Sequence, residues 1–325
     1  MFGKMLMNAG LAACILAGLT AGVNAAEESS EKPKRPKMDL AFCIDTTGSM
    51  QGELDVVKNK MKELVAKLSS TKPVPDIRVG LVAFRDRGDQ YVTKVFQFTE
   101  DIDKIVKDIS NLEAGGGGDG PEAVNQALHS AITDLNWDGS NKATKVMFLI
   151  GDAGPHKYAG DYNWKTECSQ AINRGIQINA IGCDGLEQFP KGEGTDVFKE
   201  IARLTDGRFE TLAYRQEVVS ADGRRETLIS SGGAVYKVKS AGKDSWKAGA
   251  AALMAEGKAE KAADKPTVAG ARFATAARPM MMMSAGALAP ASAGYGAAPG
   301  FTRSDSNLDS ILLDGARDAM AKKAR

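Results

Sequence analysis

The sequence predicts an α/β fold: a doubly wound, mostly parallel sheet with one antiparallel edge strand and helices on both faces, followed by a disordered C-terminal tail. Three observations carry this. From Met38 onward, short apolar runs alternate with segments whose apolar residues recur at three- and four-residue steps, the pattern of parallel strands joined through helices. One connection, Arg85–Gln90, is too short for a crossover and turns its two strands into a hairpin. Near Ser240 the composition shifts to Ala, Gly and scattered Pro, which bury too little apolar surface to hold a core.

Met38–Ile44 is a continuous apolar run, as a parallel strand covered on both faces requires. Leu54, Val57, Met61, Leu64, Val65 and Leu68 then line one side of a helix over about 50–69. Ile77–Phe84 and Tyr91–Phe98 are the two hairpin strands, and Ile102, Ile105, Val106, Ile109 and Leu112 mark the next helix. After Gly115–Gly118, Pro121 is placed to open a third helix at its first turn, running to about Leu135. Lys145–Ile150 is the most apolar strand and belongs at the centre. A helix near 164–174, the strand Ile176–Cys183, a helix near 195–205 and the strand Arg208–Leu212 complete a body over 38–215. Asp222-Gly223, between Gln216–Ser220 and Arg225–Ile229, marks a hairpin extension within 216–239.

Residues 240–303 form the low-complexity stretch. Its Met280–Met283 run offers thioethers that suit Cu(I), but neither spacing nor His supports a copper site. Over 304–325, Leu308, Ile311, Leu312, Ala316, Ala319 and Met320 make the apolar stripe of a helix, with Ser304 or Ser306 as its cap and the body, ahead of a partner, as its docking surface.

Composition excludes several functions. Lys plus Arg number 42 against 41 Asp plus Glu, a net charge of +1, which removes the electrostatic basis for whole-protein binding to nucleic acid. Beyond the N-terminus no apolar run approaches the ~20 residues of a membrane span. The Cys lack CxxC spacing and only His129 and His156 are present, so a Cys/His zinc site is not expected.

The N-terminus reads as an address. Lys4 precedes a mostly apolar stretch, Met5–Val23, and small residues follow at Ala25 and Ala26, so 1–25 is expected to be a signal peptide cut after Ala25. Residues 26–37, with Pro33 and Pro36, form a charged linker. An acylated Cys14 or an uncleaved anchor are the alternatives, and either would hold the chain on a membrane, facing outward. Export implies a periplasmic or extracellular, oxidising location. There Cys168 and Cys183 are expected at the same end of the sheet, where a disulfide and two free thiols both stay open; Cys43 is a buried small residue.

In a doubly wound sheet, ligands bind beyond the carboxyl ends of the strands. Asp45 ends the first strand, Asp152 ends the central one, and Asp119 lies in the glycine-rich loop before the third helix. Asp45, Thr47 and Ser49 alternate across a turn that Gly48 lets bend, so their oxygens converge. Gathered carboxylates repel one another, and a divalent cation is the simplest remedy. Carboxylate and hydroxyl oxygens select a hard ion, Mg²⁺ before Mn²⁺ or Ca²⁺. Taken singly, Ser49 and Asp119 also suit helix caps. Arg85 and Asp86 after the second strand, with His156 and Tyr158 after Asp152, would form the rim.

These residues resemble the metal-ion-dependent adhesion site (MIDAS) of the von Willebrand factor type A (VWA) domain family, whose pattern is Asp-x-Ser-x-Ser, then a Thr or acidic residue, then an Asp. Asp45, Thr47 and Ser49 match the first motif, with Thr for the first Ser, and Asp152 matches the last; the likeness spans about 38–215. It implies that Thr47 and Ser49 bind the ion directly and that Asp45 and Asp152 act through waters. Where the family most often has Thr, this chain offers Asp119, with Glu122 as the nearby alternative. Three carboxylates around a divalent ion leave one net negative charge, which strengthens cation binding and weakens the pull on an acidic ligand.

The resemblance implies a non-enzymatic, metal-dependent protein-binding module of adhesion or assembly type. Two alternatives stand beside it. A Mg²⁺-dependent phosphoryl-transfer enzyme would use Asp45 as nucleophile, although Thr47 sits where haloacid-dehalogenase-type enzymes have a second Asp. An envelope scaffold would act through its C-terminal tail.

Overall fold

The computed structural model describes residues 35–324, apart from 119, 189–191, 220–223, 240, 241, 243 and 263–304. The signal peptide with Ala25 and Ala26, Cys14, Asp119 and Met280–Met283 therefore lie outside the described residues.

A six-stranded sheet in the order β3-β2-β1-β4-β5-β6 organises the body. Its strands are β1 (Lys37–Asp45), β2 (Asp76–Phe84), β3 (Thr93–Thr99), β4 (Thr144–Gly151), β5 (Ile176–Gly182) and β6 (Phe209–Thr211). All neighbours pair in parallel except β2 and β3, the hairpin at the edge. Successive side chains of a strand face opposite ways, and here both faces are apolar. Leu40, Phe42 and Ile44 of β1 join one buried cluster with α1 (Gln51–Ser69) and α2 (Ile102–Ser110). Ala41 and Cys43 join the other, with α3 (Val124–Thr133), α4 (Trp164–Asn173) and α5 (Glu193–Leu204).

Several expectations are corrected. The stretch after 215 is more than a hairpin: β7 (Ala213–Val219), β8 (Arg225–Ser231), β9 (Ala234–Val238) and β10 (Ala259–Lys261) form a second, antiparallel sheet in the order β10-β9-β8-β7. The predicted boundary at 215 thus cuts through β7, and the low-complexity reading of 240–303 fails over 245–261. There a 3₁₀ turn at Ser245–Ala248 and α6 (Gly249–Ala255) bury Trp246, Ala250 and Leu253 against Ile229. Two large side chains suffice to anchor a segment whose average composition is Ala- and Gly-rich.

The final helix, α7 (Leu308–Lys323), docks on the body through Leu308, Ile311, Leu312 and Ala316. Ser306 does not cap it, because Ser306 pairs with Tyr214 as an isolated antiparallel bridge and the helix begins two residues later; Ser304 is outside the described residues. Pro121 does not open α3 either. Glu122 is held extended by its own N–H donating to the Gly154 carbonyl and by the His156 N–H donating to its carbonyl, so the helix starts at Val124.

Cys43, Cys168 and Cys183 are all buried free thiols. Cys168 lies inside α4 and packs in the cluster under α3–α5, whereas Cys183 packs in the cluster on the α1 face, so the sheet separates the two. Among the described residues no helix is long and apolar enough to cross a membrane.

Candidate metal and partner site

The carboxyl ends of β1 and β4 place Asp45 and Asp152 side by side at the top of the sheet. Beyond Asp45 the chain turns at once into a 3₁₀ turn, Gly48–Met50, that leads into α1. The turn folds Thr47 back: its N–H and its Oγ1–H donate to Asp45 Oδ1 at 2.8 and 2.7 Å. Thr47 Oγ1 lies 3.2 Å from Ser49 Oγ, and the nearby Ser49 hydroxyl favours the ionised form of Asp152 against its burial. Asp45, Thr47 and Ser49 thus form one hydrogen-bonded chain, with Asp152 beside it. Neither Thr47 nor Ser49 is spent on capping, since the 3₁₀ turn lacks a side-chain cap.

The glycine-rich loop is stitched onto this turn. Gly115 N–H donates to the Thr46 carbonyl at 3.0 Å and Gly48 N–H to the Gly116 carbonyl at 3.2 Å. Gly117 has φ +74°, and a Cβ there would lie 2.9 Å from Glu122 Oε1 and 3.0 Å from Thr47 Cβ. Only glycine allows that backbone conformation and that approach without strain. The close packing brings Glu122 into the crevice, 2% exposed, although it precedes α3 by two residues.

The site holds an excess of buried acid. Asp45 is fully buried and Asp152 is 3% exposed. Asp45 Oδ2, Asp152 Oδ1 and Glu122 Oε2 are buried without a hydrogen-bond partner among the described residues. Burial pushes the Asp45 carboxyl up to about 7, with Asp86 and Asp89 adding repulsion against its hydrogen bonds to Thr47. Glu122 and Asp152 are pushed upward by burial first and by the charge of Asp45 second. A fourth carboxylate, Asp86, is 6% exposed and accepts from the Tyr158 hydroxyl. Unpaired buried charge of one sign is costly, and hard oxygen donors lacking a counter-charge fit a divalent cation. Among the described residues, no three His, Cys, Asp or Glu side chains gather as a ligand cluster by themselves. Thr47 and Ser49 hydroxyls are therefore an essential part of any donor set here.

The rim differs from expectation in one respect. Arg85 does not present its charge: it is 6% exposed, donating to the Thr46 carbonyl from Nε and to the Glu113 carbonyl from Nη2, with its guanidinium over the Tyr91 ring. It braces both loops. Arg87 takes the outer position, with its guanidinium 4.2 Å from the Tyr158 ring centroid and 2.7 Å from Asp161. His156 stacks on the other side of Tyr158, with centroids 3.9 Å apart.

Two site residues escaped sequence reasoning. Glu53, fully buried, accepts from the Tyr214 hydroxyl and adds to the repulsion at Asp152. Its signal was present, since Met50, Glu53, Leu54 and Val57 share one helical face and a carboxylate on an apolar face demands a reason. Asp89 accepts the N–H groups of Asp86 and Gly117, tying the hairpin turn to the glycine loop. In sequence it is an ordinary turn residue.

Residues 39–211 match the family model described as von Willebrand factor A domain. The alpha-protein kinase vwkA of Dictyostelium discoideum is 31% identical over 120 residues, covering 37% of this chain and 19% of the kinase. The human von Willebrand factor A domain-containing protein 7 is 35% identical over 120 residues, covering 37% of this chain and 12% of that protein. The chain thus spans less than a fifth of the length of these curated relatives. Among solved structures, the pilus adhesin SpaC of Lactobacillus rhamnosus GG aligns over 61% of this chain and 36% of its own, with a TM-score of 0.42 and 14% identity.

Proposed function

This chain belongs to the von Willebrand factor A domain family, and from that premise we propose that its crevice is a metal-ion-dependent protein-binding site acting outside the cytoplasm. The observation that carries the reading is the set of three buried carboxylate oxygens, on Asp45, Asp152 and Glu122, that lack a partner beside the linked Thr47 and Ser49 hydroxyls. Asp45, Thr47, Ser49 and Asp152 would hold a divalent cation, Mg²⁺ before Mn²⁺ or Ca²⁺, with Asp119 or Glu122 contributing from the glycine loop. A bound ion supplies an electrophilic position that an oxygen of a protein ligand can fill. The protein's own part is to orient and to contact. Asp45 fixes the Thr47 hydroxyl, Arg85 fixes the two loops, and the Arg87–Tyr158–His156 stack offers a flat surface beside the crevice.

Phosphoryl transfer is the weaker reading. Asp45, the nucleophile that reading needs, is fully buried, and the position two residues on is Thr47, whose hydroxyl is spent on the Asp45 carboxylate and cannot act as the second acid. Lys157, the cation in the loop beyond Asp152, is engaged with Glu193 at 2.7 Å.

Calorimetric titration of the full chain with Mg²⁺ and Mn²⁺ tests the proposal. We expect one saturable site, weakened on the order of 10–100-fold or more by Asp45→Ala. Asp119→Thr and Glu122→Gln, titrated in parallel, identify which acid contributes. Heat of binding that Asp45→Ala leaves intact would place the cation elsewhere and defeat the reading.

A further inference from the structure

The opposite end of the sheet carries a second surface that the crevice does not use. Pro36 leads into β1 and Thr144 opens β4, so both stand at the amino ends of their strands; both line a cavity of about 570 Å³. Its apolar wall includes Met320 of α7. Its rim carries Lys72, Lys142, Arg317 and Lys323, and the lining contains no carboxylate. All four cations are exposed, and none takes part in an ion pair among the described residues. This contrasts with nearby Arg35, Lys37 and Lys322, which face Asp76, Asp138 and Asp318. The cavity continues past Thr144 and Lys323 into a neighbouring one of about 330 Å³, lined by Lys145 and Ile172, the latter 53% exposed. An apolar floor inside a ring of uncompensated cations is complementary to an amphipathic anion.

We propose that this basal end of the fold is a docking surface for a bilayer containing anionic lipid, with the crevice directed away from it. Two arguments select a lipid surface over an acidic protein. The first is the apolar floor: Met320 inside the ring of cations and the half-exposed Ile172 beside it offer apolar surface that acyl chains can cover and a polyacidic chain cannot. The second is charge. The whole chain is nearly neutral at +1, so attraction to an anionic bilayer requires the cations to be concentrated on one face, as they are here. The inference stands independently of whether the crevice binds a cation.

Co-sedimentation of the full chain with phosphatidylcholine vesicles, with and without phosphatidylglycerol, tests it. The neutral vesicles measure any contribution of the apolar N-terminal stretch, and the increment due to phosphatidylglycerol measures the basal surface. We expect a salt-sensitive increment that falls about fivefold for each cation removed, and so by at least about 25-fold in Lys142→Glu/Lys323→Glu, where each reversal also adds an anion. Lys94→Glu/Lys199→Glu changes the net charge equally at exposed residues that line neither cavity, and should retain the increment. Thermal melts confirm that both variants fold. Equal binding to the two vesicle types, or equal losses in the two variants, overturns the proposal. So does binding to poly-glutamate with no preference for phosphatidylglycerol, which would assign the surface to an acidic protein.

Discussion

Asp45, Glu122 and Asp152 are each driven toward the protonated form by burial, and this has a measurable consequence for the cation-free chain. An acid whose folded pKa lies above its unfolded value binds more protons when folded, so its contribution is complete below the unfolded value and is lost as pH rises through the folded one. For Asp45 that window runs from 3.8 to about 7, and Glu122 and Asp152 act in the same direction. Melting temperature in chelator should therefore fall between pH 5 and pH 8. Mg²⁺ should restore part of the loss at pH 8, because a cation stabilises the ionised carboxylates. A flat profile in chelator would mean these carboxyls are better solvated than their burial implies. At this scale the sequence was most informative where residues are neighbours. Asp45, Thr47 and Ser49 are two apart and meet through a single turn, whereas Glu122 and Glu53 reach the same crevice only through loop stitching and the first turn of α1.

At the scale of elements, α7 is held by close approach. A Cβ on Gly315 would lie 2.8 Å from Phe148 Cε1 and 3.1 Å from Asn179 Nδ2, so the helix axis sits as near to β4 as a bare backbone permits. Gly315→Leu should push the helix outward and lower stability by about 1–3 kcal/mol despite the better helix propensity of Leu. The midpoint of a urea denaturation curve reads this directly, and an unchanged midpoint would show that α7 can shift without cost. Strands and helices of the body were legible because each is long, periodic and apolar on the side it buries. The misplaced start of α3 has a specific cause. Pro121 has the right residue type for a first turn, but the Glu122 backbone is claimed by the loop after β4.

At the scale of the whole molecule, α7 changes how the tail can be tested. A truncation at 240 would remove β10, α6 and α7 together, and with them Leu308, Ile311 and Leu312, each worth about 1.5–3 kcal/mol of burial. Its failure would report on folding rather than on partner contact. Deleting only 270–297 leaves every described element in the chain and fourteen residues, 263–269 and 298–304, to span the second sheet from Ala262 to Asp305. That variant should keep the wild-type melting temperature and its Mg²⁺ titration. If affinity capture from envelope extract then loses a chelator-sensitive partner, the scaffold reading gains at the expense of the crevice.

By itself the sequence determined the alternation of strands and helices, the hairpin edge, and the turn that gathers Asp45, Thr47 and Ser49. Each of these is written within a few neighbouring residues as periodicity or spacing. Tertiary structure alone decided that Glu53 joins Glu122 at the crevice, that Arg85 braces instead of facing outward, and that Cys168 and Cys183 lie on opposite faces. It also decided that 245–261 and 308–323 complete the fold around the sheet. The reason is common to all of these. They are contacts between segments far apart in the chain, and their free energy depends on packing partners that no local pattern names.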